Sequence, residues 1–388
     1  AAALALEETG GDALRRGRAW VSAGQVGRGV GVWLDGWNHI IRSLGPRALS
    51  GVLREADELL ANVPPSASLH GRCALVGLWL DHRFRVAGVA TRAREQADLA
   101  AHRGWADLAM ECLRLAALAT PVDAKESVYD DAVRRFGDRV GPATMGRLLF
   151  SRYMLRERFG HDERDATYAA TLHHLEQALA APPGAGELVH RGQLERLVRV
   201  TRVVRLQRLG DLRAALPLQL EAVELSRQHG ALSLCTDLTD LAHLLTAAGQ
   251  LDRADGVHRE AGRWAAWLGL AADQALSMAN RAGLAMVRGQ YERGAHLAQR
   301  ALPGSDDAYL VGVLQLFVWT SRVRHGTWDA DALEAVGARV GHVLPPDHEV
   351  VAAIEEIERQ ALAEGRTLPE SLAALLEVTV PHGRPLPI

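Results

Sequence analysis

The stretch Ala248-Gly-Gln-Leu-Asp-Arg-Ala254 recurs, in the same order of residue types, as Arg208-Leu-Gly-Asp-Leu-Arg-Ala-Ala215 and as Arg288-Gly-Gln-Tyr-Glu-Arg-Gly294. A weaker fourth copy is His325-Gly-Thr-Trp-Asp-Ala-Asp331. Successive glycines of the four copies lie 39, 40 and 37 residues apart: Gly210, Gly249, Gly289 and Gly326. A fixed period in this range predicts stacked units that bury their apolar faces only together.

Each unit places a glycine first, a large apolar residue two positions later and a small residue five positions later. Around Gly249 these are Leu251 and Ala254, and a second small residue, Ala261, follows seven positions on. Glycine ends a helix because it adopts the left-handed conformation at little steric cost. The two small residues share one face of the next helix and allow a neighbouring helix to approach closely. The pattern predicts a helix–turn–helix unit.

Helical periodicity extends over most of the chain. Apolar residues recur at helical spacing, as in Leu238, Leu241 and Leu245, and no segment alternates as a strand would. Degraded copies of the unit occur in the first half, at Ala23-Gly-Gln-Val-Gly-Arg-Gly29 and His82-Arg-Phe-Arg-Val-Ala87. Hydrophobic residues make up 48% and charged residues 23%, which is typical of a folded protein. An all-α fold follows.

The units resemble tetratricopeptide repeats (TPRs). Around Gly249, Leu238 and Leu241 match the large residues of that family's first helix, and Ala242 matches its first small position. Arg281 departs from the pattern, because it stands where a large apolar residue belongs. The period is also longer than the family's roughly 34 residues. The resemblance implies tandem antiparallel helix pairs stacked into a right-handed superhelix, with a groove lined by the first helix of each pair.

The breaks in the pattern divide the chain into three segments. We expect a degenerate helical-repeat lobe over 1–180, TPR-like repeats over 188–340, and capping helices with a tail over 345–388. The Pro- and Gly-rich stretch LAAPPGAGE at 179–187 is the predicted boundary between the first two. The first residues lack an initiator Met and a basic region, so we expect a fragment of a longer protein without a signal peptide.

Several function classes lack support in the sequence. The formal net charge is −3, which does not favour direct binding to nucleic acid or to an anionic membrane. No apolar run reaches the roughly 18–20 residues of a membrane span. The cysteines, Cys73, Cys112 and Cys235, are far apart and fit a reducing cytoplasm. Lys125 is the only lysine, and no phosphate loop, dinucleotide fingerprint, nucleophile elbow or HExxH motif occurs. We therefore expect neither an enzyme nor a cofactor.

An arginine-rich helix is the first candidate site. Arginines occur about every third residue over 191–208, and Arg199, Arg202 and Arg205 cover neighbouring parts of one side. In the TPR resemblance this is a first helix, so these side chains could form a wall that binds carboxylates. The alternative is a solvated face, or salt bridges to Glu221 and Glu224 on the next helix.

Polar residues on the next two first helices extend the candidate groove. Counted from the repeat, Thr239, Asp240 and His243 face the groove on one helix, and Asn280 faces it on the next. Such a lining suits the backbone of an extended peptide. The alternative is an ordinary solvent-facing side. With the arginine wall, these residues predict a groove that holds an acidic or carboxylate-bearing peptide.

Two other groups favour a structural interpretation. His161, Asp162 and Asp165 could contribute to a metal site, but no second element completes the ligand set. We expect a polar loop at a helix start, capped by Asp162 or Asp165, and no metal. Trp264 and Trp267 lie three residues apart on one helical face; they could stack on a ligand, but core or inter-repeat packing is the favoured interpretation.

The function that these observations predict is a protein- or peptide-binding scaffold or sensor. Lengthened repeats of this kind resemble segments of large bacterial signalling proteins, which implies a cytoplasmic module. The alternative is a receptor for a small ligand or peptide that switches an attached ATPase, kinase or DNA-binding domain. A receptor needs a closed and partly apolar pocket, whereas a scaffold needs an open trough.

Overall fold

The computed structural model describes residues 12–182, 190–305 and 308–324, and no strand occurs among them. In chain order the helices are α1 (Ala13–Ser22), α2 (Val26–Asp35), α3 (Trp37–Leu44), α4 (Pro46–Leu60), α5 (Arg72–Arg83), α6 (Val89–His102), α7 (Ala106–Leu118), α8 (Val122–Phe136), α9 (Pro142–Phe159), α10 (Arg164–Ala180), α11 (Arg191–Arg208), α12 (Leu212–His229), α13 (Leu234–Ala247), α14 (Leu251–Leu268), α15 (Ala271–Val287), α16 (Tyr291–Ala301) and α17 (Ala308–Arg324). Single turns of π or 3-10 type occur at Ala67–Gly71, Gly137–Arg139 and Leu302–Gly304.

Most helices pack against their neighbours in sequence. Extensive contacts join α1 with α2, α6 with α7, α9 with α10, α11 with α12, α13 with α14, and α15 with α16, and also α14 with α15. The prediction of an all-α, TPR-like fold of consecutive helix pairs is therefore confirmed.

The repeat glycines close the hairpins by a common turn. Gly249 has a φ of +72°, and the Gln250 N–H donates to the Leu245 carbonyl at 2.8 Å. The same bond joins Asp211 to Leu206 and Gln290 to Ala285, after Gly210 at +77° and Gly289 at +70°. This hydrogen bond satisfies a carbonyl that the end of the helix would otherwise leave free.

The small residues of the repeat occupy close helix contacts, as predicted. Ala215, Ala254 and Ala301 are fully buried, and Ala261 is nearly so. At Gly294 a side chain would meet Met286, since a Cβ atom would lie 2.9 Å from its Cε. Side-chain size at these positions therefore limits how closely the helices approach.

One repeat in the first half is not apparent from the sequence pattern. Gly104 ends α6 with a φ of +74°, and small residues follow at five and twelve positions, Ala109 and Ala116, both fully buried. These are the intervals seen around Gly249. The degraded copy after His82 has the same turn, with Arg85 in place of glycine at a φ of +53°.

The chain forms two compact units, Ala1–Ser233 and Leu234–Ile388. In the first unit a buried core surrounds Tyr129 and Phe136. Asn38 of α3 also reaches the end of that unit, where its Oδ1 accepts from the Ala231 N–H at 3.2 Å. In the second unit the core surrounds Met286 and Phe317.

The division between the two units follows Ser233, whereas the sequence placed a boundary at 179–187. The centre of that boundary, the fourth repeat copy and the predicted cap at 345–388 lie outside the described residues. The division into 1–180, 188–340 and 345–388 stays a prediction. None of the described helices combines the length and the apolar character that crossing a bilayer requires.

Candidate functional site

Three polar side chains meet inside the second unit: His243 of α13, His258 of α14 and Asn280 of α15. His243 hydrogen-bonds to Asn280, and its ring lies edge-on to that of His258, with centroids 5.5 Å apart. His258 is 1% exposed and Asn280 5% exposed, whereas His243 is half-buried. The helix pairs bring them together because α13 and α15 are the first helices of consecutive repeats, with α14 between them in sequence.

Both histidines of this cluster are neutral near pH 7. Burial lowers the pKa of His243 to about 4, although the hydrogen bond between His243 and Asn280 acts in the opposite direction. Burial also lowers the pKa of His258 to about 3, with a further contribution from His243. Because this bond favours the protonated ring, His243 is the donor and the Oδ1 of Asn280 is the acceptor. The Nδ2 of Asn280 then has no acceptor among the described residues.

The other predicted residues of α13 lie about one turn from His243. The hydroxyl of Thr239 donates to the Cys235 carbonyl of its own helix at 3.0 Å, and its oxygen can still accept a bond. Asp240 is half-buried. The structure thus brings His243 and Asn280 into contact. The sequence did not identify His258, because that residue lies on a second helix, away from the side assigned to the groove.

The arginines of α11 are engaged by carboxylates within the first unit. The partners are Glu221 of α12 for Arg199 at 2.6 Å, Glu176 of α10 for Arg202 at 2.7 Å, and Asp165 of α10 for Arg205. The salt-bridge alternative is thus observed for Glu221. It is not observed for Glu224, which pairs with Arg227 at 3.6 Å. A peptide carboxylate would have to compete with these partners for the arginines. Binding of a peptide by the arginine wall therefore stays a prediction.

A cleft of about 680 Å³ lies between α8, α9 and the start of α10. Its lining is Glu126, Asp130, Arg152, Arg156, His161, Asp162 and Glu163. At its base Arg152 and Arg156 both bind Glu126, at 2.7 and 2.9 Å. The lining is charged, so this cleft does not provide the partly apolar pocket that the receptor alternative requires.

The helix start beside this cleft differs from the prediction. Neither Asp162 nor Asp165 caps α10: the residue at the cap position is Glu163, whose carboxylate instead binds Arg156 at 2.7 Å. Asp165 faces α11, where it pairs with Arg205 and Arg208. In the described ranges no three His, Cys, Asp or Glu side chains are arranged to hold a metal ion.

The two tryptophans of α14 differ in their surroundings. Trp264 is half-buried, but Trp267 is 53% exposed. The favoured interpretation of core or inter-repeat packing is therefore wrong for Trp267. A spacing of three residues turns a side chain by about 60° from the starting direction, which here is enough to expose the second ring.

The chain was compared with protein families, curated sequences and solved structures. No family model matches the chain, and no curated protein sequence matches it. Among solved structures, the chain is similar to a Rap protein complexed with competence and sporulation factor. The two are 14% identical with a TM-score of 0.49, and the match covers 92% of this chain and 99% of the other. Similarity at this level assigns neither a ligand nor an activity to the chain.

Proposed function

We propose that this chain is a helical-repeat module that binds a peptide or a protein segment through the first helices of its second unit. The observation that carries the proposal is the amide of Asn280. Its Nδ2 group is almost completely buried and has no acceptor among the described residues. An unpaired buried donor is costly, and a ligand carbonyl would remove that cost.

The neighbouring groups suit a peptide backbone. His243 orients the Asn280 amide by binding its oxygen, and Thr239, one turn before His243, keeps an oxygen that can accept a backbone N–H. A row of donors and acceptors along first helices matches the alternating N–H and C=O groups of an extended chain. The neutral state of His243 avoids burying a charge beside the ligand.

The wider setting is also part of the proposal. We propose, with the TPR resemblance as support, that the module belongs to a bacterial cytoplasmic signalling protein, is attached to an effector domain, and has a protein or peptide partner rather than nucleic acid. The proposed activity is binding without catalysis. A direct check is to incubate the purified chain with ATP, where we expect no hydrolysis above that of a contaminant control.

The peptide proposal can be tested with a displayed library of random dodecapeptides selected against the chain. Affinities of the enriched peptides are then measured by fluorescence anisotropy for the wild type and for Asn280→Ala. We expect about tenfold weaker binding by the variant, since one buried hydrogen bond is lost. Gln299→Ala, at an exposed position of α16, is the control and should bind as the wild type does. Failure to enrich any peptide, or equal affinities for wild type and Asn280→Ala, would contradict the proposal.

A further inference from the structure

Three arginines of the second unit converge on one buried carboxylate. Asp255 of α14 is 3% exposed. It accepts from Arg259 Nη2 at 2.5 Å, from Arg281 Nε at 2.8 Å and from Arg293 Nη2 at 3.0 Å. The arginines come from α14, α15 and α16, so the site exists only when three helices are packed. These three side chains are called the arginine cluster.

The cluster has an excess of positive charge. Its three guanidinium groups stay protonated at all relevant pH values. The pKa of Asp255 is lowered to about 2, because its bonds to Arg281 and Arg259 outweigh the effect of burial. Three positive charges around one negative charge leave a charge of +2 on these four residues.

The arginines of the cluster are partly exposed. Asp255 lies beneath, while the side chains of Arg259 and Arg293 are 50% and 42% exposed. Arg281 is 20% exposed, and only one of its nitrogens is used by Asp255 in a hydrogen bond. Arg259 also uses its Nε on Asp255 at 3.2 Å, and Arg293 donates from Nη1 to Gln290 Oε1 at 2.9 Å. Arg259 Nη1, Arg293 Nε and both Nη groups of Arg281 make no hydrogen bond to another described residue, so they remain available to bind another anion.

Two further arginines lie on the same helix faces as the exposed members of the cluster. Arg263 follows Arg259 by one helical turn, and Arg300 follows Arg293 by two, so each pair shares a helix face. Arg263 and Arg300 are both exposed. The outer faces of α14 and α16 thus add to the attraction that an anion would experience at the cluster.

We propose that the arginine cluster is a binding site for a phosphate group. A phosphate carries about −1.5 to −2 charges at neutral pH, which matches the charge of +2 on the cluster. It also has three or more acceptor oxygens in a tetrahedral array, suited to donors that arrive from three helices. A ligand carboxylate matches the cluster less well than a phosphate. It would bring one negative charge and two coplanar oxygens, and Asp255 already supplies a group of this kind.

The two most exposed arginines of this site lie outside the proposed peptide groove, whereas Arg281 follows Asn280 directly on the first helix α15. Arg259 and Arg293 belong to second helices, α14 and α16, whereas Thr239, His243 and Asn280 belong to first helices. The phosphate can be a free ion or a phosphorylated side chain of a partner. Both sources offer the same oxygens, and the experiment distinguishes them.

The test is calorimetric titration of the full chain with sodium phosphate, with a phosphoserine peptide of otherwise neutral sequence, and with the same peptide unphosphorylated. We expect saturable binding of both phosphates, weakened by added sodium chloride, and none of the unphosphorylated peptide. Tighter binding of the phosphopeptide than of inorganic phosphate would assign the site to a phosphorylated partner; equal affinities would assign it to the free ion.

The variant Arg259→Gln/Arg293→Gln removes the two most exposed donors. It should bind phosphate at least about tenfold more weakly, since each lost bond is to a charged group. Arg288→Gln is the matched control, because Arg288 forms a separate pair with Asp252 at 2.8 Å. Circular dichroism checks that both variants are folded, and Arg259→Lys, which keeps the charge but loses the planar fork, should also bind more weakly. No saturable binding by the wild type, or an equal loss in the control, overturns the proposal.

Discussion

Arg281 of α15 donates from Nε to Oδ1 of Asp255 on α14, with 2.8 Å between the two atoms. The repeat pattern has a large apolar residue where Arg281 stands. The departure has a physical reason: Asp255 is buried one residue after the small Ala254, and a buried carboxylate requires a positive partner. This pair replaces an apolar contact between consecutive repeats by a directional one.

Loss of the Asp255 carboxylate should destabilise the second unit. We expect Asp255→Ala to lower the free energy of unfolding by about 2–4 kcal/mol. That is near the low end of the range for broken buried pairs, because two of the freed arginines can reach water. Urea unfolding measures the change. The control is Asp252→Ala, whose carboxylate is fully exposed beside Arg288 and should leave unfolding unchanged. Equal stability of Asp255→Ala and wild type would show that the buried pair contributes nothing.

The repeat glycines can be tested by a matched pair in one region. Gly249→Ala should destabilise by about 1 kcal/mol, because alanine is strained at a φ of +72°. Gly256→Ala, in the exposed interior of α14, should stabilise by about 0.4–1 kcal/mol. Neither position has an atom within 4 Å of a new Cβ, so packing does not differ between them. Thermal melts of both variants give the sign of each change in stability. The same sign for both variants would contradict the left-handed turn assigned to Gly249.

The salt bridge between Arg202 of α11 and Glu176 of α10 predicts a charge-swap effect. Arg202→Glu and Glu176→Arg should each lower the melting temperature, and the double variant should recover most of the loss. The coupling should be about 0.2–1 kcal/mol, since both side chains are roughly half exposed and solvent screens them. Arg213→Glu, on exposed α12 surface, should show no coupling to Glu176→Arg. If the stability change of the double variant equals the sum of the changes of the two single variants, the ion pair is excluded.

The buried imidazole of His258 predicts a loss of stability on acidification. Its pKa is about 3 in the folded chain, against an ordinary value of 6.5. Because the folded value is the lower one, the unfolded chain takes up the proton first. Stability is therefore complete above pH 6.5 and falls as the pH decreases from 6.5 towards 3. Urea unfolding across this range should show a shallower fall for His258→Gln than for the wild type; parallel curves would mean that His258 is not protected from protonation.

Much of the fold could be predicted because its determinants are local. The turn at Gly249 depends on one backbone conformation, and the burial of Ala254 and Ala261 depends on spacing along one helix. The same spacing at Gly104 was available in the sequence, but its neighbours differ enough from the other copies to obscure it. The candidate site was less predictable: His243 and Asn280 were identified from their register, whereas His258 was not.

The sequence by itself determined where helices end, which faces carry small residues, and that consecutive helices pair, since each depends on residues within one period of the chain. The tertiary structure decided which partners the charges take, including the choice of Glu221 over Glu224. Glu221 and Glu176 bind arginines 22 and 26 residues away, and Arg293 binds a carboxylate 38 residues away. Charged side chains are long and pair with whichever opposite charge the packing brings near. Helical periodicity gives the direction in which Arg281 points, but only the packing of three helices shows that Asp255 lies there.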